Sequence, residues 1–319
     1  MLKFLRRDEW LVKITNQRKL FFNEQSVVIE ALKAKHKCTA EYIVFEKRDS
    51  VVISFLALVK GKQIIAPIHF FYSALWVEST LGDTKYCEYV VDFLRALRLT
   101  FTKIEIRIPP AIPDVRPFIW ANFSIKNRFT YVKNLDKLEY AKDVHKNIAK
   151  AASVPYVYKE EAITAEILSI NLQIFYDLKL YSKKSVKEIG KLIAQLSDTE
   201  YLTCFSCYLE NELLVSHIVF IDEENKIAYT VLKNKLYQKQ AGSLHSALYH
   251  HLFVYLKSKG FEYVDLLGAD MEFISLFKSR FKAKLCMANV AKYNNVTLFL
   301  GSIQQKIKYL IKRVIAIVG

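Results

Sequence analysis

The sequence is poor in the residues that punctuate a chain. Only 8 of its 319 residues are glycine and 6 are proline, against average usages near 7% and 5%. Collagen-like repeats and glycine-rich linkers are excluded, and loops must be short or built on Asn, Asp and Lys. The five cysteines, Cys38, Cys87, Cys204, Cys207 and Cys286, are odd in number and scattered. That excludes the disulfide framework of a small secreted protein and fits a reducing, cytoplasmic setting. Cys204 and Cys207 form a lone CxxC in an extended run, where residues three apart point to opposite faces. Zinc or redox chemistry is therefore not expected there, and no metal is expected elsewhere. The longest apolar run, 64–77, is broken by Pro67 and His69 and falls short of the ~20 residues of a spanning helix. Residues 1–11 carry Lys3, Arg6, Arg7, Asp8 and Glu9 without an apolar stretch, so no secretory signal is expected. No G-x-S-x-G elbow, Walker loop or G-x-G-x-x-G fingerprint occurs, which argues against hydrolase, kinase and dehydrogenase readings.

Apolar residues are abundant at 52%, with 25% charged, a balance that builds globular cores rather than a disordered chain. A length of 319 residues favours two domains. Lys and Arg number 47 against 32 Asp and Glu, a formal charge of +15. Such a field concentrates polyanions such as nucleotide cofactors, tRNA or anionic lipid. A biased composition produces the same excess with no functional meaning.

Extended runs at 41–47, 51–60 and 63–67 predict a β-meander turning at Gly61-Lys62, followed by a helix over 83–100 and a strand over 103–108. Another strand, 129–133, leads into the charged helical stretch 136–150, and a domain boundary is expected near residue 135. The second half repeats the order: helices 166–178 and 186–196, strands 202–210, 213–222 and 226–232, helix 242–259, strand 263–267, helix 271–280 and strand 284–290. This is an α+β order with a mixed, mostly antiparallel sheet in each half.

That order is similar to the GNAT acyltransferase fold. The run Tyr263-Val264-Asp265-Leu266-Leu267-Gly268-Ala269 with Ile274 to Phe281, including Phe277-Lys278, resembles the closing motif of Fem-type peptidoglycan aminoacyltransferases and their acyl-CoA-using relatives. Arg128-Phe129-Thr130-Tyr131 with Asn134-Leu135, and Lys146 to Ala151, resemble the family's interdomain junction. Lys282 stands where the family usually has glycine, Asn134 where it often has Asp, and the helical-hairpin arm of the bridge-forming enzymes is missing. The resemblance implies two tandem GNAT-like domains: 1–135 on the acceptor side and 136–295 on the donor side. It implies an N-acyltransferase taking an acyl group from acyl-CoA, acetyl-CoA in the first instance, to an amine of a small molecule or cell-envelope precursor such as a sugar nucleotide. The alternatives are aminoacyl transfer from tRNA to a peptidoglycan precursor, and a non-catalytic protein binding a membrane surface or partner.

Acyl transfer needs a cradle for the donor's phosphates, a donor to the carbonyl oxygen and an acceptor for the amine proton. Gln238-Lys239-Gln240-Ala241-Gly242-Ser243 lies between a strand and the longest helix of the second half, where free N–H groups favour anions. It resembles a decayed GNAT pyrophosphate signature; an ordinary helix start capped by Ser243 is the other reading. Lys278 and Asp265 match the closing motif and are the expected catalytic pair, while Asp270 suits a helix cap. His217, with a side-chain pKa near neutrality, and Tyr229 are proton-transfer candidates. His69, Tyr72 and Glu78, in an aromatic-rich segment, are expected acceptor contacts.

The remaining residues, 296–319, form a basic amphipathic helix in sequence. Ile303, Ile307, Leu310, Ile311, Val314 and Val318 make one stripe, with Lys306, Lys308, Lys312 and Arg313 beside it. It suits either docking on the preceding domain or peripheral contact with anionic lipid at the inner membrane surface.

Overall fold

Alternate residues of one long strand feed two different hydrophobic cores, and this sets the architecture. In the computed structural model, which describes residues 1–67, 72–234 and 241–295, the central strand of the first half is Ser50–Lys60. Its Ile53, Phe55, Ala57 and Val59 join a core over the first sheet. Leu56 and Leu58, on the opposite face, join a second core with Ile218, Phe220 and Leu232 from the other half. The period of two between successive side chains makes one strand serve both.

The first half contains β1 (Leu2–Leu5), α1 (Arg7–Thr15), α2 (Ser26–His36), β2 (Thr39–Lys47), β3 (Ser50–Lys60), β4 (Gln63–Ile65), β5 (Ala74–Val77), α3 (Asp83–Thr100), β6 (Lys103–Arg107), α4 (Arg116–Trp120) and β7 (Ser124–Lys126). The second contains β8 (Phe129–Asn134), α5 (Lys142–Ala152), β9 (Val157–Glu161), α6 (Ala165–Asp177), α7 (Lys183–Leu196), β10 (Leu202–Leu209), β11 (Glu212–Asp222), β12 (Ile227–Lys233), α8 (Ala241–Ser258), β13 (Tyr263–Asp265), α9 (Glu272–Ser279), β14 (Lys284–Met287) and β15 (Val290–Asn294). The first sheet runs β1-β2-β3-β4-β6-β15-β7, with β5 paired to β3, and the second runs β14-β8-β13-β12-β11-β10-β9. Neighbours are antiparallel except β4 with β6 and β12 with β13. Two mixed sheets flanked by helices make this an α+β protein.

Several expected elements coincide with the structure, and the departures have causes. The run expected as one strand over 284–290 splits at Ala288-Asn289. There Asn289 accepts from the Ile108 amide of the first sheet, so β14 closes the second sheet and β15 crosses back to the first. Phe129–Asn134 lies in the second sheet, so the exchange of strands does not fall at the expected division near residue 135. Cys204 packs in the shared core and Cys207 in the core under α8, on opposite faces of β10, and both are free thiols. Ser243 lies inside α8 rather than ahead of it. No helix among the described residues is long and apolar enough to cross a membrane. The expectations placed on His69, on Gln238 to Gln240 and on the tail 296–319 fall outside the described residues.

Candidate active site

The pairing of β12 with β13 is short. It covers Ile227↔Tyr263, Ala228↔Val264 and Tyr229↔Asp265, after which β13 ends. β12 continues beside β11 as far as Lys233, opposite His217. Past Tyr229, therefore, the edge of Thr230–Lys233 that faces away from β11 has no strand along it among the described residues. The chain leaving β13 is turned aside at Leu267 and Gly268, both left-handed with φ near 50°. Thr230 Oγ1 reaches across the fork to the Leu266 carbonyl at 3.1 Å. α8 follows β12 in the chain, beginning at Ala241, and the first N–H groups of a helix are left unpaired by the helix itself.

Lys278 of α9 is 6% exposed and clasps this turn. Its Nζ donates to the Leu266 carbonyl at 2.6 Å and to the carbonyls of Leu267 and Gly268. Asp265 is 1% exposed. Its carboxylate accepts from Thr130 Oγ1, from the Leu267 amide at 2.8 Å and from the Tyr72 hydroxyl at 2.8 Å. Three of the expected site residues, Tyr72, Asp265 and Lys278, thus converge on one turn. Burial holds the Asp265 carboxyl above the ordinary carboxylate range despite these donors. Burial, then the charge of Asp265, pushes the Tyr72 phenol well up.

The fork opens into a cavity of about 540 Å³ between the two halves, lined by both of them. Lys233 at the end of β12 points its ammonium over the Phe277 ring at 4.6 Å. No carboxylate pairs with it among the described residues. Burial lowers Lys233 to about 8; burial and the nearby charge of Lys233 lower Lys278 to about 7. Arg107 and Arg128 also line the cavity. Arg107 is depressed by burial, and its Nε has no hydrogen-bond partner among the described residues. Arg128 is held by Asp270 at 3.0 Å, the one carboxylate among the described lining residues. Asp270 also accepts from the Phe129 amide at 3.0 Å, so it fastens the junction instead of capping α9, whose cap position is Met271. Four lysine and arginine side chains thus stand among the described lining residues, against one carboxylate.

The other expected residues stand elsewhere. Tyr229 is half-buried behind the fork, its ring 5.3 Å from Phe22 and 6.4 Å from Tyr72. His217 is fully buried and meets His245 at 3.0 Å between Nε2 and Nδ1. Burial, then the neighbouring histidine, lowers His217 well below its usual value, and burial with Lys233 lowers His245 to about 3, so neither is charged near neutrality. His217 does not line the cavity, but its ring lies 4.3 Å from that of Tyr249, which does. Glu78 is spent locally, accepting from the Thr80 amide and hydroxyl at 3.1 Å. Sequence reading missed Lys233, Arg107 and Tyr249. A lysine closing an apolar strand ahead of a helix was the available signal for the first; nothing local marked the others. Asp83, Cys87 and Asp114 are close enough together to hold a metal ion. The Arg116 guanidinium already sits on both carboxylates at 2.6 and 2.8 Å, which offsets one of their two charges.

Solved structures share the overall arrangement of two mixed sheets flanked by helices in one chain. FemX superposes with a TM-score of 0.63 at 11% identity, over 94% of this chain and 99% of the other. The chain has the Fem-type, tandem GNAT-like fold. A tandem GNAT protein from the clavulanic acid biosynthesis pathway matches at 0.52 with 10% identity, over 92% of this chain and 99% of its own. The C-terminal domain of a lysylphosphatidylglycerol synthetase from Agrobacterium fabrum matches at 0.51 with 12% identity, over 95% and 97%. No protein-family model and no curated protein matches the sequence.

Proposed function

We propose that this tandem GNAT-like protein is a transferase that moves an acyl group from a coenzyme A thioester to an amine. The observation carrying this reading is the fork itself. The unpaired edge of Thr230–Lys233 offers backbone N–H and C=O groups to a thioester lying along it. The start of α8, helped by the small residues Ala241 and Gly242, is the natural seat for the donor's phosphates. The Lys233 ammonium is then the group placed to stabilise the oxyanion that forms when the amine attacks the carbonyl carbon. The C–N bond forms, the C–S bond breaks, and the thiolate of coenzyme A leaves. The Tyr249 hydroxyl, on the cavity lining, is the relay: it gives its proton to the thiolate and takes the one released by the attacking amine. Lys278 and Asp265 act as positioning residues, since every hydrogen-bonding interaction they make holds the turn that shapes the fork.

The charge of the cavity supports acyl over aminoacyl transfer. An aminoacyl group carries its own ammonium, which Lys233 and Lys278 repel, whereas a simple acyl group is neutral. Arg107 and Arg128 suit an acceptor with an acidic group, such as the phosphates of a sugar nucleotide. The test is release of free coenzyme A thiol from acyl-CoA in the presence of a panel of amines that includes amino-sugar nucleotides, with the N-acyl product identified by mass. Thiol release dependent on the amine is expected. Absence of both acyl-CoA binding and thiol release across the panel overturns the reading.

A further inference from the structure

One stretch of the cavity lining belongs to the end of α6 and the turn after it. Ile174, Phe175, Leu178 and Leu180 line it, with Leu232 and Ile274 beside them. Leu180 is 39% exposed, an apolar side chain left open at a concave surface without a partner group to match. The lining side chains from Ile174 to Leu180 are all apolar; the phenol of Tyr181, next in the chain, ends the stretch within electrostatic reach of Arg107 and Arg128. Cavities of roughly 300–1,000 Å³ hold ligands of drug size. At about 540 Å³ this one has room for an acyl chain on the α6 wall apart from the fork and the arginines.

Resting on the transferase reading above, we infer that the transferred group is a hydrocarbon acyl chain of roughly eight carbons or more, lying on the Ile174–Phe175–Leu178–Leu180 wall with its carbonyl at the fork. The wall is continuous with the fork through Leu232, so a chain whose thioester lies along Thr230–Lys233 runs directly onto it. Burial of methylene groups supplies the selectivity, since each is worth a several-fold gain in affinity. A charged or strongly polar acyl group loses that gain and desolvates without compensation.

The experiment is calorimetric titration of the full chain with coenzyme A, acetyl-CoA, octanoyl-CoA and dodecanoyl-CoA below micelle-forming concentrations. Acetate, octanoate and dodecanoate form a second series that needs no donor site. Affinity is expected to rise roughly tenfold for every two added methylenes until the wall is covered, in both series. Leu180→Asp, at an exposed position that folding tolerates, is expected to remove that rise. Equal affinities for acetyl-CoA and dodecanoyl-CoA, with coenzyme A itself bound, overturn the chain inference and leave the transferase reading standing. Carboxylates that tighten with length in a Leu180-dependent way while coenzyme A fails to bind support the apolar subsite and sink the transferase reading. Flat behaviour in both series without coenzyme A binding overturns both.

Discussion

The Tyr72 hydroxyl donates to the Asp265 carboxylate at 2.8 Å across 193 positions of sequence. It ties the segment between β4 and β5 of the first sheet to the end of β13 in the second, at the turn that opens the fork. Tyr72→Phe keeps the ring and removes one donor from a buried carboxyl group. We expect a loss of about 1–2 kcal/mol of stability, read as a lowered urea midpoint at unchanged slope. An unchanged midpoint shows that the two halves do not communicate through this bond.

Lys278→Met removes a buried ammonium and leaves the carbonyls of Leu266, Leu267 and Gly268 without their donor. Each buried unsatisfied acceptor costs on the order of 1–3 kcal/mol, so a total loss of about 2–4 kcal/mol is expected, shown by denaturant unfolding. Lys278→Arg is not expected to rescue it. A planar guanidinium does not reproduce three bonds from one nitrogen. Full stability in Lys278→Met contradicts the clasp.

Lys233 and Lys278 also give stability a pH dependence. Both are lowered, to about 8 and about 7, from an unfolded value near 10.4. Between pH 7 and 8.5 the unfolded chain therefore binds more protons than the native one, and stability rises with pH. A gain of about 1–2 kcal/mol over that window is expected for the wild type, with a smaller gain in Lys233→Met. Above roughly pH 9 the buried thiols Cys204 and Cys207, both pushed up to about 12, ionise only in the unfolded chain and oppose that gain. Stability that falls between pH 7 and 8.5 contradicts the lowered lysines.

Lys282 occupies the position where a glycine would be at ease. Its φ is 50°, in the left-handed region that costs a residue with a side chain roughly 1 kcal/mol or more. Its ion pair with Glu139 spans 3.8 Å between exposed groups and adds little. Lys282→Gly is expected to raise stability by about 1 kcal/mol, seen as an increase in melting temperature. A decrease shows that the lysine side chain does more than its contacts indicate.

The sequence made the order of elements legible wherever one periodicity dominated. Asp83–Thr100 is a helix with Val90, Phe93, Leu94 and Leu97 buried along one stripe, as the spacing demands. The turn at Asn211 is built from Glu210 and Asn211, both left-handed, with φ of 49° and 68°, the geometry of a two-residue hairpin. Strand exchange was not legible. β14 and β15 read as one run because both are extended, and only the bond between Asn289 and Ile108 separates them. Asp265 and Lys278 stood out through their motif, yet their buried hydrogen bonds are a property of the fold and not of the spacing. Lys233 and Arg107 carried no local mark at all; they become conspicuous only once a cavity without matching carboxylates surrounds them.

The central claim is that a thioester donor lies along the open edge of β12 with its phosphates at the start of α8. Hydrogen–deuterium exchange of the full chain, with and without saturating coenzyme A, tests it most directly. Slowed exchange at the amides of residues 230–233 and in the first turns of α8, with β3 unaffected, is the expected result. Coenzyme A that fails to bind, or that binds and leaves those amides exchanging at their unliganded rates, contradicts the claim.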